Sequence, residues 1–156
     1  MDNLLLIVSR HVLSYFIQSV LFVYGMHLLS NKDINKKYFV ICLSVSMATT
    51  YFSRLLLTFG THTLINIIIL VLFSVGLLKI SAQKAVISAL TLTILMFIFE
   101  GLIVFFYRLN INDPQKLERF LNTETVKITI GIISNVLLAL TLLVIRFIKK
   151  RPKRQR

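Results

Sequence analysis

Apolar runs alternate with short polar clusters along the whole chain, and each run is close to the roughly 20 residues that cross a bilayer as a helix. The first run covers 4–29 and stops before "SNKDINKK". The second covers 38–59 and the third 63–78, with Gly60 and "GTHT" between them. The stretch 38–78 is too long for one helix and predicts a hairpin broken at that turn. "KISAQK" closes the third run, and a fourth covers 85–107. The polar connection "RLNINDPQKLERFLNTETVK" leads to a fifth at 126–147. The pattern therefore predicts an all-α polytopic membrane protein, a bundle of five transmembrane helices. It forms one domain over 1–147, followed by a basic tail, 148–156.

Within the polar connection, "DPQKLERFL" predicts a short helix. Asp113 suits its N-cap and Pro114 its first turn. Leu117, Phe120 and Leu121 then share one face. The segment either rests on the membrane surface or merely connects two spans.

Composition agrees with the pattern. The chain of 156 residues is 56% hydrophobic, with 18 Lys and Arg against six Asp and Glu. These charges are too few to cover a soluble domain of this length. They also set a direction, because Lys and Arg concentrate on the cytoplasmic side. Lys32, Lys36 and Lys37 sit in the first turn, Lys79 and Lys84 in the third, and six cations in the final "KKRPKRQR". With these inside, the N-terminus lies outside and the C-terminus in the cytoplasm. The outer loop 108–126 then balances Arg108, Lys116 and Arg119 against Asp113, Glu118 and Glu124. "MDNLLLIVSRHVLSYF" has no basic leader region and no cleavage motif, so the first helix is expected to remain in the protein.

The net charge of +12 would suggest nucleic acid on a soluble protein. Here the tail residues Lys149, Lys150, Arg151, Lys153 and Arg154 follow a span directly. They are expected to contact anionic lipid headgroups or a cytoplasmic partner, and no nucleic acid.

Three charges fall well inside spans, away from their ends: Arg10, Arg54 and Glu100. Each costs roughly 2.5–3.5 kcal/mol at mid-bilayer and calls for a partner or water. Counted from the outer ends of their spans, all three lie roughly 9–11 Å deep. Glu100, the acid inside "LTILMFIFEGLIVFF", is expected to pair with Arg54, Arg10 or both. Polar stripes accompany them. Thr93, Glu100 and Tyr107 mark the fourth span, and Thr50, Tyr51, Arg54 and Thr58 the second. His11, Ser14 and Gln18 mark the first, and Gly131, Ser134 and Asn135 the fifth. The cluster either holds the helices together or lines an outward pocket, whose positive excess would suit an anionic ligand such as a peptide carboxylate.

Catalytic patterns are missing. His11, His27 and His62 lack metal-ligand spacing, and Cys42 stands alone. No zinc-protease, nucleophile-elbow or phosphate-loop pattern occurs. No enzyme, cofactor or metal is expected.

From Asn66 on, "NIIILVLFSVGLLKISAQKAVISALTLTILMFIFEGLIVFF", the polar loop and "GIISNVLLALTLLVIRFIKK" resemble the membrane sensor region of bacterial receptor histidine kinases of the accessory-gene-regulator, quorum-sensing type. The likeness rests on the basic turn Lys79 to Lys84, on Glu100, and on Gly131 with Ser134. It covers about half the chain well and the first two spans loosely. It implies a plasma-membrane sensor that binds a peptide or small molecule. Those receptors continue into a phospho-accepting helix and an ATP-binding domain, and no such sequence follows Phe147 here. The resemblance thus implies a sensor module acting through a protein partner or as a homo-oligomer. A component of a small-solute transporter is the alternative, though neither Pro114 nor Pro152 interrupts a span and no repeat is evident. A structural or assembly role is the other.

Overall fold

The computed structural model describes residues 2–56, 61–111 and 113–150, with the side chains of 2–11, 53–56 and 61–63 excepted. Six helices run in order: α1 Asp2–Ser30, α2 Lys36–Leu56, α3 Thr61–Gly76, α4 Ala82–Asn110, α5 Pro114–Asn122 and α6 Glu124–Lys150. No strand occurs among the described residues. Each expected run has become a helix, with ends within about three residues of the sequence reading. Three helical stretches are long and apolar enough to cross a membrane: Val12–Ser30, Ala82–Asn110 and Glu124–Lys150. Leu64–Gly76 is a shorter apolar helix.

α1 and α4 form the central seam. α6 packs against both on one side, while the α2–α3 hairpin closes the other, α2 on α1 and α3 on α4. The α1–α4 crossing depends on one glycine. A Cβ on Gly25 would stand 2.6 Å from a methyl carbon of Leu92, which is itself fully buried.

The α1–α6 contact is parallel and in register. Asn135 reaches the Ser14 carbonyl, and Lys149 reaches the Leu28 carbonyl, at the same sequence offset. The α4–α1 contact is antiparallel, because α6 starts beside the end where α4 finishes: the ring of Tyr107 meets that of Phe120, and α5 packs on α6.

The apolar core is not central. Val23, Met26, Cys42, Leu78, Ile80, Ala85, Ala89, Leu92, Leu138 and Leu142 are all buried in the half of the bundle near the turns 31–35 and 77–81. Both turns are pinned. Asn31 and Lys79 adopt left-handed backbone angles, φ 55° and 52°. Lys32 N–H bonds the His27 carbonyl at 3.1 Å, and Ile80 N–H the Ser74 carbonyl at 3.2 Å.

At the other end the packing opens. Beyond Met96, α4 buries none of its remaining residues, about 21 Å of helix. Phe97, Ile98, Leu102, Phe105, Phe106 and Leu109 are exposed there.

Candidate functional site

The polar residues of the sequence reading divide into three places. The first is the α1–α6 seam. Gly131 lies where α6 meets α1; a Cβ there would lie 3.6 Å from the Ser14 hydroxyl oxygen, an ordinary contact, so this approach does not require glycine. Ser134 and Asn135 are buried beside it, Asn135 at 3% exposure. The Asn135 amide donates to the Ser14 carbonyl at 3.4 Å, while its own carbonyl oxygen is buried with no partner among the described residues. Ser134 turns its hydroxyl back to the Ile130 carbonyl at 2.8 Å. This seam is built from short side chains whose polar groups mostly serve their own helix, so it joins helices at close range.

The second place is Glu100. It is half-buried on α4 and engaged by a hydrogen bond or an electrostatic contact. Thr93, one stripe-repeat deeper, is buried and bonds the Ala89 carbonyl at 2.9 Å. Tyr107, one repeat outward, packs edge-on against Phe120 at 5.1 Å between ring centres. The stripe thus runs from the core to the underside of α5.

The expected arginine partners, Arg10 and Arg54, fall among residues whose side chains lie outside the described set, as does His11. The helix register still sets their heights. Counting outward from the Gly25–Leu92 contact, Glu100 comes level with Ile17 of α1. That is seven residues short of Arg10, or about 10 Å of helix rise. The groove residues Val12 and Tyr15 of α1 face Tyr51 and Ala48 of α2, which brings Arg54 to the height of Arg10. On this count the backbones of the two arginines share a level and that of Glu100 lies about 10 Å from it, while the expected contact between their side chains falls outside the described residues. Helix neighbours also matter: α4 packs on α1, α3 and α6, whereas α2 packs on α1 and α3. A Glu100 contact with α1 is the shorter route across the bundle.

The third place is the end carrying the basic turns. Lys149, expected to contact lipid headgroups or a cytoplasmic partner, donates to the Leu28 carbonyl at 2.6 Å and to the Asn31 side-chain oxygen at 2.7 Å while remaining exposed. It satisfies carbonyls left open at the α1 C-terminus, where a cation also suits the helix dipole. Lys150 is exposed, and Arg151, Lys153 and Arg154 lie outside the described residues. Nearby, His27 is buried against the ring of Phe39, with Nδ1 at 3.3 Å from the Lys32 carbonyl and Nε2 unpartnered. Sequence reasoning missed both. Lys149 reads as one cation of a run, and its target is a backbone atom with no sequence signature.

α5 has the cap that its sequence implies: Asp113 accepts from the amides of Gln115 at 2.9 Å and Lys116 at 3.3 Å. Its apolar side folds inward, with Leu117 and Leu121 half-buried and Phe120 on Tyr107. Among the described residues, no three of His, Cys, Asp and Glu converge as a metal site. No family model matches the chain, and neither a curated protein nor a solved structure is found to match it.

Proposed function

We propose that this chain is an integral membrane sensor or regulatory module of five spans, N-terminus outside and C-terminus cytoplasmic. It recognises a ligand or a partner's membrane helix in its outer half and modulates a signalling partner. α2 and α3 serve as the second and third spans, and the setting is a bacterial plasma membrane. The resemblance to accessory-gene-regulator-type sensors enters on the same footing.

One observation carries this reading. The inner half of the bundle is closed by a buried core, while the outer fourteen residues of α4 leave a row of large apolar side chains uncovered beside a half-buried carboxylate, Glu100. Glu100 is engaged within the structure, which fixes a polar point beside the apolar row. A helix or ligand laid along α4 would cover that row and compete for the contact that Glu100 makes.

The test is site-specific photocrosslinking in cells from Leu102 and Phe105. A discrete protein or ligand adduct that weakens in Glu100→Gln supports the reading. Lipid adducts alone sink it. Topology is read separately. In a Cys42→Ser background, a membrane-impermeant maleimide applied to intact cells should label Asn122→Cys and spare Lys36→Cys; the reverse pattern refutes the orientation.

A further inference from the structure

The end of the bundle that carries the basic turns presents a field of lysines. Lys32, Lys36, Lys37, Lys79, Lys84 and Lys150 are exposed there, and none of them forms an ion pair among the described residues. Asp33 is the one acid in these turns. The next acid along α4, Glu100, stands about 24 Å beyond Lys84. Like charges gathered on one face repel one another until an anion meets them.

Stability does not account for where these lysines sit. Lys36 and Lys37 open α2, and Lys84 lies in the first turn of α4, where a helix dipole favours acids. Lys79 adopts φ 52°, a backbone conformation that strains lysine and suits glycine. The bias of cations toward the cytoplasmic side explains their number at this end. A lysine at a neighbouring position would satisfy that bias equally, so it does not explain Lys79. The surface is also held still. Lys79 stands between Leu78 and Ile80, both buried, and the Leu77 N–H bonds the Phe73 carbonyl at 2.8 Å. Lys149 fastens α6 to the neighbouring turn through Asn31. These ammonium groups therefore stem from backbone that the core fixes.

The topology indicates the occupant. Lys32 follows α1, and Lys79 and Lys84 flank the start of α4. These are the two helices of the central seam, with α6 on one side and the α2–α3 hairpin on the other. Lipid headgroups meet the bundle around its rim, whereas the middle of the end face is open to a partner arriving from water. Lysine is a compact point charge without the planar fork of arginine, which suits a run of carboxylates in no fixed orientation. We propose that this face docks an acidic segment of a cytoplasmic protein, with Lys79 as its fixed point and Lys32 and Lys84 beside it. The side follows from the orientation proposed above, and the segment belongs to the signalling partner of that reading.

The full chain in phosphatidylcholine nanodiscs, which expose both faces, is titrated with a dye-labelled oligoglutamate peptide and followed by anisotropy. The parent should bind, and added salt should weaken it. Lys79→Gly removes the charge and relieves the strain, so it should fold at least as well as the parent while binding roughly two- to fivefold more weakly. Lys79→Asn, which also tolerates the left-handed backbone, takes its place if the glycine variant loses helical signal. Adding Gln83→Lys to Lys79→Gly restores the net charge a few residues away and should leave binding weak. The tail is the same in every variant, so its charge adds a constant background. No binding by the parent, or parental affinity in Lys79→Gly or in the relocated variant, overturns the docking face. Phosphatidylglycerol adducts that native mass spectrometry finds on the parent and not on Lys79→Gly would assign the face to headgroups and overturn the protein partner. Equal adducts on both are expected. A reversed maleimide pattern leaves the peptide result standing and removes the cytoplasmic assignment, together with the five-span orientation.

Discussion

The Gly25–Leu92 crossing gives the sharpest test of the packing, because it predicts an effect that changes sign with background. A Cβ at Gly25 would lie 2.6 and 2.9 Å from the two terminal methyl carbons of Leu92. Carbon atoms prefer about 3.5–4.0 Å, so Leu92 would have to retreat by about 1 Å. It is fully buried and has little room to do so. Overpacking of this kind costs about 1–3 kcal/mol. Alanine recovers about 0.8–1.0 kcal/mol over glycine as a helix former. Gly25→Ala is therefore expected to destabilise by about 0–2 kcal/mol. Leu92→Ala alone should cost about 2–5 kcal/mol through the cavity it leaves. In that background the clashing atoms are gone, and Gly25→Ala should stabilise by up to about 1 kcal/mol. The two backgrounds should thus differ by about 1–3 kcal/mol, well above the ~0.5 kcal/mol scatter of independent sites. Unfolding of the four proteins in mixed micelles, followed by helical circular dichroism, measures the cycle. An equal effect of Gly25→Ala in both backgrounds would refute the close crossing, and with it the height assigned to Glu100.

The same assay reaches three other positions. Asn135→Leu keeps the volume and removes a buried oxygen that has no partner among the described residues, so stability should stay within about 1 kcal/mol of the parent or rise. A loss above about 2 kcal/mol would mean that the oxygen has a partner after all. Lys149→Met should raise amide exchange in the last turn of α1 while Lys149→Arg largely preserves protection; equal exchange in both variants would dismiss the cap. Lys79→Gly should stabilise by up to about 1 kcal/mol, since a left-handed backbone at φ 52° strains lysine and suits glycine. A loss of stability there would show that the lysine side chain contributes more than the strain.

What was legible in the sequence was whatever depends on neighbours along the chain. Apolar periodicity located the helices, and "DPQKLERFL" specified its own cap because Asp113 bonds amides two and three residues away. The burial of Ser134 and Asn135 against α1 was also readable, since short polar side chains on one stripe of an apolar helix mark a helix contact. The pairing of elements was not. Nothing local marks Gly25 as the point where α1 meets α4, because its significance lies in Leu92, far away in sequence. Lys149 was equally opaque, because a terminal lysine run looks the same whether its members face lipid or cap a helix. A glycine or a lysine acquires its role from the partner that the fold brings to it, and composition does not record partners.

The height of Glu100 shows the same limit with more consequence. Counting from the ends of apolar runs treats the helices as if they began and ended at common planes. α4 runs through Asn110 while the packed core stops at Met96, so its outer part projects past the closed half of the bundle. Register measured from a side-chain contact then places the Glu100 backbone about 10 Å along the bundle from that of Arg10, a gap that long side chains reaching toward each other span. Glu100 is engaged in the structure. A helix or ligand lying along α4 therefore meets the exposed apolar row first, and reaches the acid only by replacing the contact it already makes.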